Sequence, residues 1–150
     1  MAVRKIFQED KDILFKRCRE VTVFDDKLGE LLDDMFDTMR KADGVGLAGP
    51  QIGYLRRIAV VEADDEKLEM VNPQIIAAEG KQIDEEGCLS VDSSKNCKVL
   101  RPYKITLRAY DRKGEKYEKE LTGLPARAVC HELDHLEGIL FYTKKYEGKE

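Results

Sequence analysis

The sequence predicts an α+β fold in which short antiparallel or mixed strands pack around a C-terminal helix that carries an H-E-x-x-H motif. Three observations predict it. Leu28, Leu31, Leu32, Met35, Phe36 and Met39 recur at helical spacing, so residues 26–42 read as an amphipathic helix. A run of short segments between residues 57 and 121 alternates or clusters apolar residues in the manner of strands. Over residues 124–136 the spacing turns helical again. Helices that bracket a run of strands argue for α+β layers and against a wound α/β sheet.

Each element has local support. Asp25 or Asp26 can cap the first helix by accepting a backbone N–H, and Gly44 lies just past its end. Strands are expected over residues 57–62, 69–72, 74–78, 105–110 and 117–121. Asp111, Arg112, Lys113 and Gly114 form the hairpin turn between the last two. Gly138 stands where the second helix should stop, at a C-cap that favours glycine. No repeat, low-complexity tract or Pro/Gly/Ser-rich linker divides the 150 residues, so one domain over 1–150 is expected.

Composition narrows the function. Apolar residues make up 42%, enough for a core at this length, and the 37% of charged residues mix in sign, as on a solvated surface. A net charge of −4 argues against a broad nucleic-acid footprint, leaving local clusters such as Lys144 and Lys145 for weak contact. The charged N-terminal decapeptide has no apolar run of signal-peptide type, and no stretch approaches a membrane span. Four cysteines are too few for a disulfide scaffold. A cytoplasmic setting is therefore expected, where cysteines serve as buried thiols or metal ligands.

The chemistry concentrates in His131, Glu132, Leu133, Asp134 and His135, an H-E-x-x-H motif. On a helix, residues i and i+4 share a face, so both imidazoles reach one ion, with Glu132 beside it as acid/base. These are the only two histidines of the chain. A catalytic site needs a third protein ligand and one open position. No histidine follows His135, which points upstream. Cys88, in Glu86-Gly87-Cys88-Leu89-Ser90, is the candidate; Cys18, Cys97 and Cys130 compete on composition, although Cys130 would point about 100° away from His131 on a helix. Residues 44–53 hold four glycines and a proline, an irregular loop with exposed backbone. It lacks the Gly-Lys-Ser/Thr ending of a phosphate loop, and its Gln51 offers either an amide N–H to an oxyanion or an ordinary surface amide.

Together the loop at 44–51, the Glu86-Gly87-Cys88-Leu89-Ser90 segment and the His131–His135 motif resemble, in this order, the peptide deformylase family, its shorter bacterial subclass in particular. The resemblance spans residues 21–141. It implies metal ligands Cys88, His131 and His135, with Glu132 catalytic and an oxyanion site made by the Gln51 side chain and the Leu89 backbone N–H. It further implies a methionine pocket lined by Val45, Gly46, Leu124 and Ala128, and a Glu86–Arg101 pair bracing the cysteine loop; Glu86 is counted among the substrate-side residues. The implied reaction is hydrolysis of the formyl group of N-formylmethionyl nascent peptides, with formate released. One divalent ion is implied: Fe(II) natively, with zinc, nickel or cobalt accepted. The implied partners are nascent chains and a transient ribosome contact, with no membrane and no specific nucleic acid.

The chain departs from the family pattern at three places. Gly49 replaces a usual alanine and is expected to loosen the loop. Asp92 replaces a usual proline. The arginine often found a few residues beyond the cysteine is missing, which leaves Lys95 and Lys98 as the nearby cations. A zinc protease and a structural metal module closed by Cys97 are the competing readings.

Overall fold

The structure is a computed structural model that describes residues 2–148. Its elements run α1 (Asp26–Lys41), β1 (Gly46–Ala48), β2 (Ile58–Ala63), β3 (Glu66–Glu79), β4 (Gln82–Glu86), β5 (Cys97–Arg101), β6 (Lys104–Tyr110), β7 (Lys116–Thr122) and α2 (Gly123–Leu136), with short 3-10 turns between. The main sheet is antiparallel, in the order β1-β2-β3-β6-β7, and β4 and β5 form a separate two-stranded ribbon. The α+β expectation holds.

The main sheet lies between the two helices. On β2, Ile58 and Val60 face α1, where Leu32, Met35 and Met39 cover them. Ala59 and Val61 face the other way, toward Ala126, Val129 and Leu136 of α2. A strand covered on both faces reads as a continuous apolar run, which is what residues 58–61 show. Asp25 caps α1 by accepting the Leu28 N–H on its side chain at 3.1 Å. At the other end Asp43, not glycine, takes the left-handed position (φ 60), and the Gly44 N–H returns to the Met39 carbonyl at 2.9 Å.

α2 stops as the sequence predicts. Gly138 (φ 76) donates to the His135 carbonyl and Ile139 to that of Asp134, the paired bonds of a Schellman motif. A Cβ on Gly138 would also lie 2.7 Å from the backbone of Phe15, so the site requires glycine twice over.

Two expectations change. The segments at 69–72 and 74–78 belong to one strand, β3, that passes through Pro73 on an irregularity. Asn72 there adopts φ 50; its N–H donates to the Arg57 carbonyl at 2.8 Å, and its side-chain amide bonds both the N–H and the carbonyl of Val21 at 2.8 and 3.0 Å. Strands β1, β4 and β5 were absent from the expected set. β1 is three residues inside a glycine-rich loop, and the acidic β4 has poor strand propensity; tertiary pairing decides both.

Candidate active site and metal centre

α2 delivers the motif to one side of a cavity of about 350 Å³. His131 and His135 stand one helical turn apart with ring centroids at 5.1 Å. Beyond the β4–β5 ribbon's first strand, the chain turns at Gly87 and presents Cys88. A Cβ on Gly87 would lie 2.9 Å from the Asn96 amide, so this turn accepts only glycine without a shift. One donor atom from each of Cys88, His131 and His135 lies within 4.8 Å of the others, and Cys88 Sγ is 3.3 Å from His135 Nε2. Among the described residues this is the only cluster of its kind, and Cys97 is not part of it.

The imidazole of His131 is held from behind. Its Nδ1 meets Glu86 Oε1 at 2.9 Å, which turns Nε2 toward the cysteine. Phe141 stacks on the ring at 5.6 Å. Glu86 itself is buried and takes Arg101 on both oxygens at 2.8 and 2.9 Å, while Arg127 also donates to Oε2. Burial resists ionisation of Glu86, but Arg101 and His131 overrule it and hold the carboxyl at about 2. The pairing with Arg101 is as the resemblance implies. Both Glu86 oxygens are thus engaged in bracing His131, while the residue, counted on the substrate side from sequence, also lines the cavity. Arg127 escaped the sequence reading; its signal was the i, i+4 spacing to His131 on one helix face. His135 Nδ1 has no hydrogen-bond partner among the described residues, unlike His131 Nδ1, which Glu86 holds from behind.

Glu132 lies buried beside Gly46 of β1. A Cβ at Gly46 would come within 2.5 Å of its Oε2, so the carboxylate rests directly against the β1 backbone. Its Oε1 is buried without a hydrogen-bond partner among the described residues. Burial raises the carboxyl to about 7, against the pull of His131.

The glycine-rich loop places Gln51 in the cavity wall, 1% exposed. Its Oε1 accepts the Ala48 N–H at 2.9 Å, which fixes the amide so that Nε2 points at Ser90 Oγ (3.0 Å) and toward Cys88 Sγ (3.6 Å). Leu89 lines the same wall, with its carbonyl held by the Gln8 side chain. Val45, Gly46, Leu124 and Ala128 line the opening, with Val45 and Leu124 more than 40% exposed.

The departures from the family pattern acquire physical readings. Gly49 is the reverse of loose: a Cβ would lie 2.8 and 2.9 Å from the carbonyl oxygens of Tyr54 and Arg56. Asp92 accepts the Ser94 N–H at 2.8 Å and starts a turn that proline could not cap. Neither Lys95 nor Lys98 lines the cavity. Lys95 is tied to Glu9 at 2.6 Å and lies over the Tyr142 ring, while Ser93 and Asn96 occupy that wall.

An α+β fold with an H-E-x-x-H helix and a Cys/His/His cluster in a cavity defines a metal-dependent hydrolase. Comparison with known proteins agrees. The model of the polypeptide deformylase family matches residues 3–149. A peptide deformylase of Caldicellulosiruptor bescii is 49% identical, covering 96% of this chain and 86% of its own. Peptide deformylase 1 of Bacillus subtilis is 47% identical over 96% of this chain and 91% of its own. The crystal structure of the Thermotoga maritima peptide deformylase superposes with a TM-score of 0.93 at 33% identity, covering 97% and 99%. The chain belongs to the polypeptide deformylase family, metal-dependent hydrolases that remove the N-formyl group from nascent peptides.

Proposed function

We propose that Cys88, His131 and His135 hold one divalent ion, that Glu132 is the acid/base, and that Gln51 Nε2 with the Leu89 N–H forms the oxyanion site. The observation that carries this reading is the convergence of three ligand atoms within 4.8 Å next to a buried, unpartnered Glu132 Oε1. A thiolate with two imidazoles fits a borderline-soft divalent ion, and three protein ligands leave one position open. The family resemblance favours Fe(II), with zinc, nickel or cobalt as substitutes.

Such an ion supplies Lewis acidity toward the formyl oxygen and a water acidified toward neutrality. The protein does the rest. Val45, Gly46, Leu124 and Ala128 receive the methionine side chain and set the formyl carbon beside Glu132. The Glu132 carboxylate, near neutral pKa, takes the proton of the attacking water at Oε1 and later gives it to the leaving amine. Gln51 Nε2 and the Leu89 N–H donate to the carbonyl oxygen as negative charge builds there. Glu86, with Arg101 and Arg127, keeps His131 oriented throughout. The whole chain acts as one domain, in the cytoplasm, on newly made chains and in transient contact with the ribosome. No described helix is long and apolar enough to cross a membrane.

The test measures metal per chain and formate release on the same preparations. Formyl-Met peptides should be cleaved and acetyl-Met peptides left nearly untouched. Cys88→Ala should lose metal, whereas Cys97→Ala should keep it. Glu132→Gln should keep the metal and lose turnover by about 10²–10⁴-fold or more. Full metal in Cys88→Ala, or near-native turnover in metal-loaded Glu132→Gln, overturns the assignment.

A further inference from the structure

On a face that the active site does not use, two backbone segments run side by side. Residues 16–19 read Lys-Arg-Cys-Arg, and residues 55–57 read Leu-Arg-Arg. The Arg19 N–H donates to the Leu55 carbonyl at 3.1 Å and the Arg57 N–H to the Arg19 carbonyl at 2.9 Å. Arg19 and Arg56 are thereby registered across a parallel bridge. Arg17 and Arg57 share one carboxylate, Glu137. Lys16, Arg19 and Arg56 are exposed and have no ion pair or side-chain hydrogen bond among the described residues.

A concave groove flanks this ridge on each side. One, of about 530 Å³, takes Arg17, Arg57, Arg108 and Lys116 against a single acid, Glu20. The other, of about 730 Å³, takes Arg4, Arg19, Lys27 and Arg56 against Asp25 and Glu30. Eight cations face three carboxylates. Glu137, Asp34 and Glu118 pair from the rim with four of the arginines, Arg17 and Arg57 sharing Glu137, and an excess of positive charge still remains on a chain whose net charge is −4. Tyr54 borders the second groove, where the Arg4 guanidinium lies over its ring at 5.4 Å and donates to its hydroxyl at 3.0 Å.

We propose that this ridge and its grooves bind the phosphodiester backbone of single-stranded RNA without sequence preference. Arginine forks match phosphate oxygens, and a cationic groove is the arrangement that tracks the backbone of an unpaired strand. A bilayer surface is a poorer fit, because the cations line concavities and α1, whose first turns border the second groove, buries its apolar face in the core.

The experiment is anisotropy of a labelled short single-stranded RNA titrated with the whole protein over a range of salt. Weak binding is expected, with a Kd of about 10⁻⁴–10⁻⁶ M, falling with salt by roughly 0.7 log unit per phosphate neutralised. Arg19→Gln with Arg56→Gln should weaken it and reduce the salt slope by about 1.4. Lys116→Gln, which removes a cation without a protein partner, should reduce it by about 0.7. Lys144→Gln with Lys145→Gln should bind as the parent does. Formate release from a short peptide should be unchanged in the Arg19/Arg56 variant, which shows that it is folded. Absence of salt-dependent RNA binding, a Lys144/Lys145 loss equal to that of the ridge variant, or capture by anionic phospholipid vesicles in preference to RNA overturns the proposal.

Discussion

Replacing Gly46 by alanine should slow the reaction through Glu132 while leaving the metal ligands in place. The new Cβ would lie 2.5 Å from Glu132 Oε2 and 3.0 Å from its Cδ. A carbon–oxygen contact rests at about 3.3 Å or more, so the carboxylate must retreat by roughly 0.8 Å. Glu132 is buried and cannot escape to solvent, so pushing back Oε2 and Cδ carries the whole carboxylate, Oε1 included, out of its place beside the reacting water. Misplacement near 1 Å costs about 10²-fold when a catalytic group must sit in a near-attack geometry, so a fall in kcat of roughly 10–10² is expected. His131 keeps its bond to Glu86, and metal content should match the parent. The assay is formate release, with metal analysis on the same sample. The discriminating step repeats the substitution in a Glu132→Gln background. If Gly46 acts through Glu132, the added alanine changes little there, because the two effects share one group. A native kcat in Gly46→Ala, or the same additional loss in both backgrounds, refutes the reasoning.

Gln51→Ala should lower kcat by roughly 10²–10³-fold with metal retained, as loss of an oxyanion donor does; an unchanged kcat removes Gln51 from that role. Gly49→Ala should destabilise the fold by about 1–3 kcal/mol in urea titration, because the atoms in its way are backbone carbonyls that cannot rotate aside; a midpoint at or above that of the parent would falsify the tight-packing account. Burial pushes the Cys18 and Cys130 thiols up to about 11, so alkylation near pH 8 should reach them only after unfolding, and labelling of either in the folded protein contradicts it. The same shift carries a sign for stability. A thiol pKa raised by folding contributes stability that is present below its ordinary value of 9 and lost as pH rises toward 11, so the thermal midpoint should fall over that window and fall less in Cys18→Ala.

The sequence by itself determined both helices, the glycine stop of the second and the spacing of the H-E-x-x-H motif. Each of these is written in local spacing. The i, i+4 histidines define a face, the period-3.6 apolar stripe defines α1, and Gly138 marks a left-handed stop. Cys88 was singled out against three other cysteines by its neighbours in sequence, and its selection over Cys97 acquired a geometric basis only when β4 and β5 paired and turned the Gly87–Cys88 loop onto α2. The role of Glu86 was likewise decided in three dimensions. A carboxylate at the end of an acidic run gives no local sign that Arg101, Arg127 and His131, from two other elements, will converge on it. Strand β3 reads as two in sequence because proline and a left-handed asparagine look like a break from within; Val21, fifty-one residues earlier in the chain, anchors the Asn72 side chain at that irregularity, and β6 pairs with the strand on both sides of it. Residues whose partners lie within one helical turn are legible in sequence, and those whose partners arrive from distant strands are not, because only the tertiary fold brings those backbones within hydrogen-bond reach.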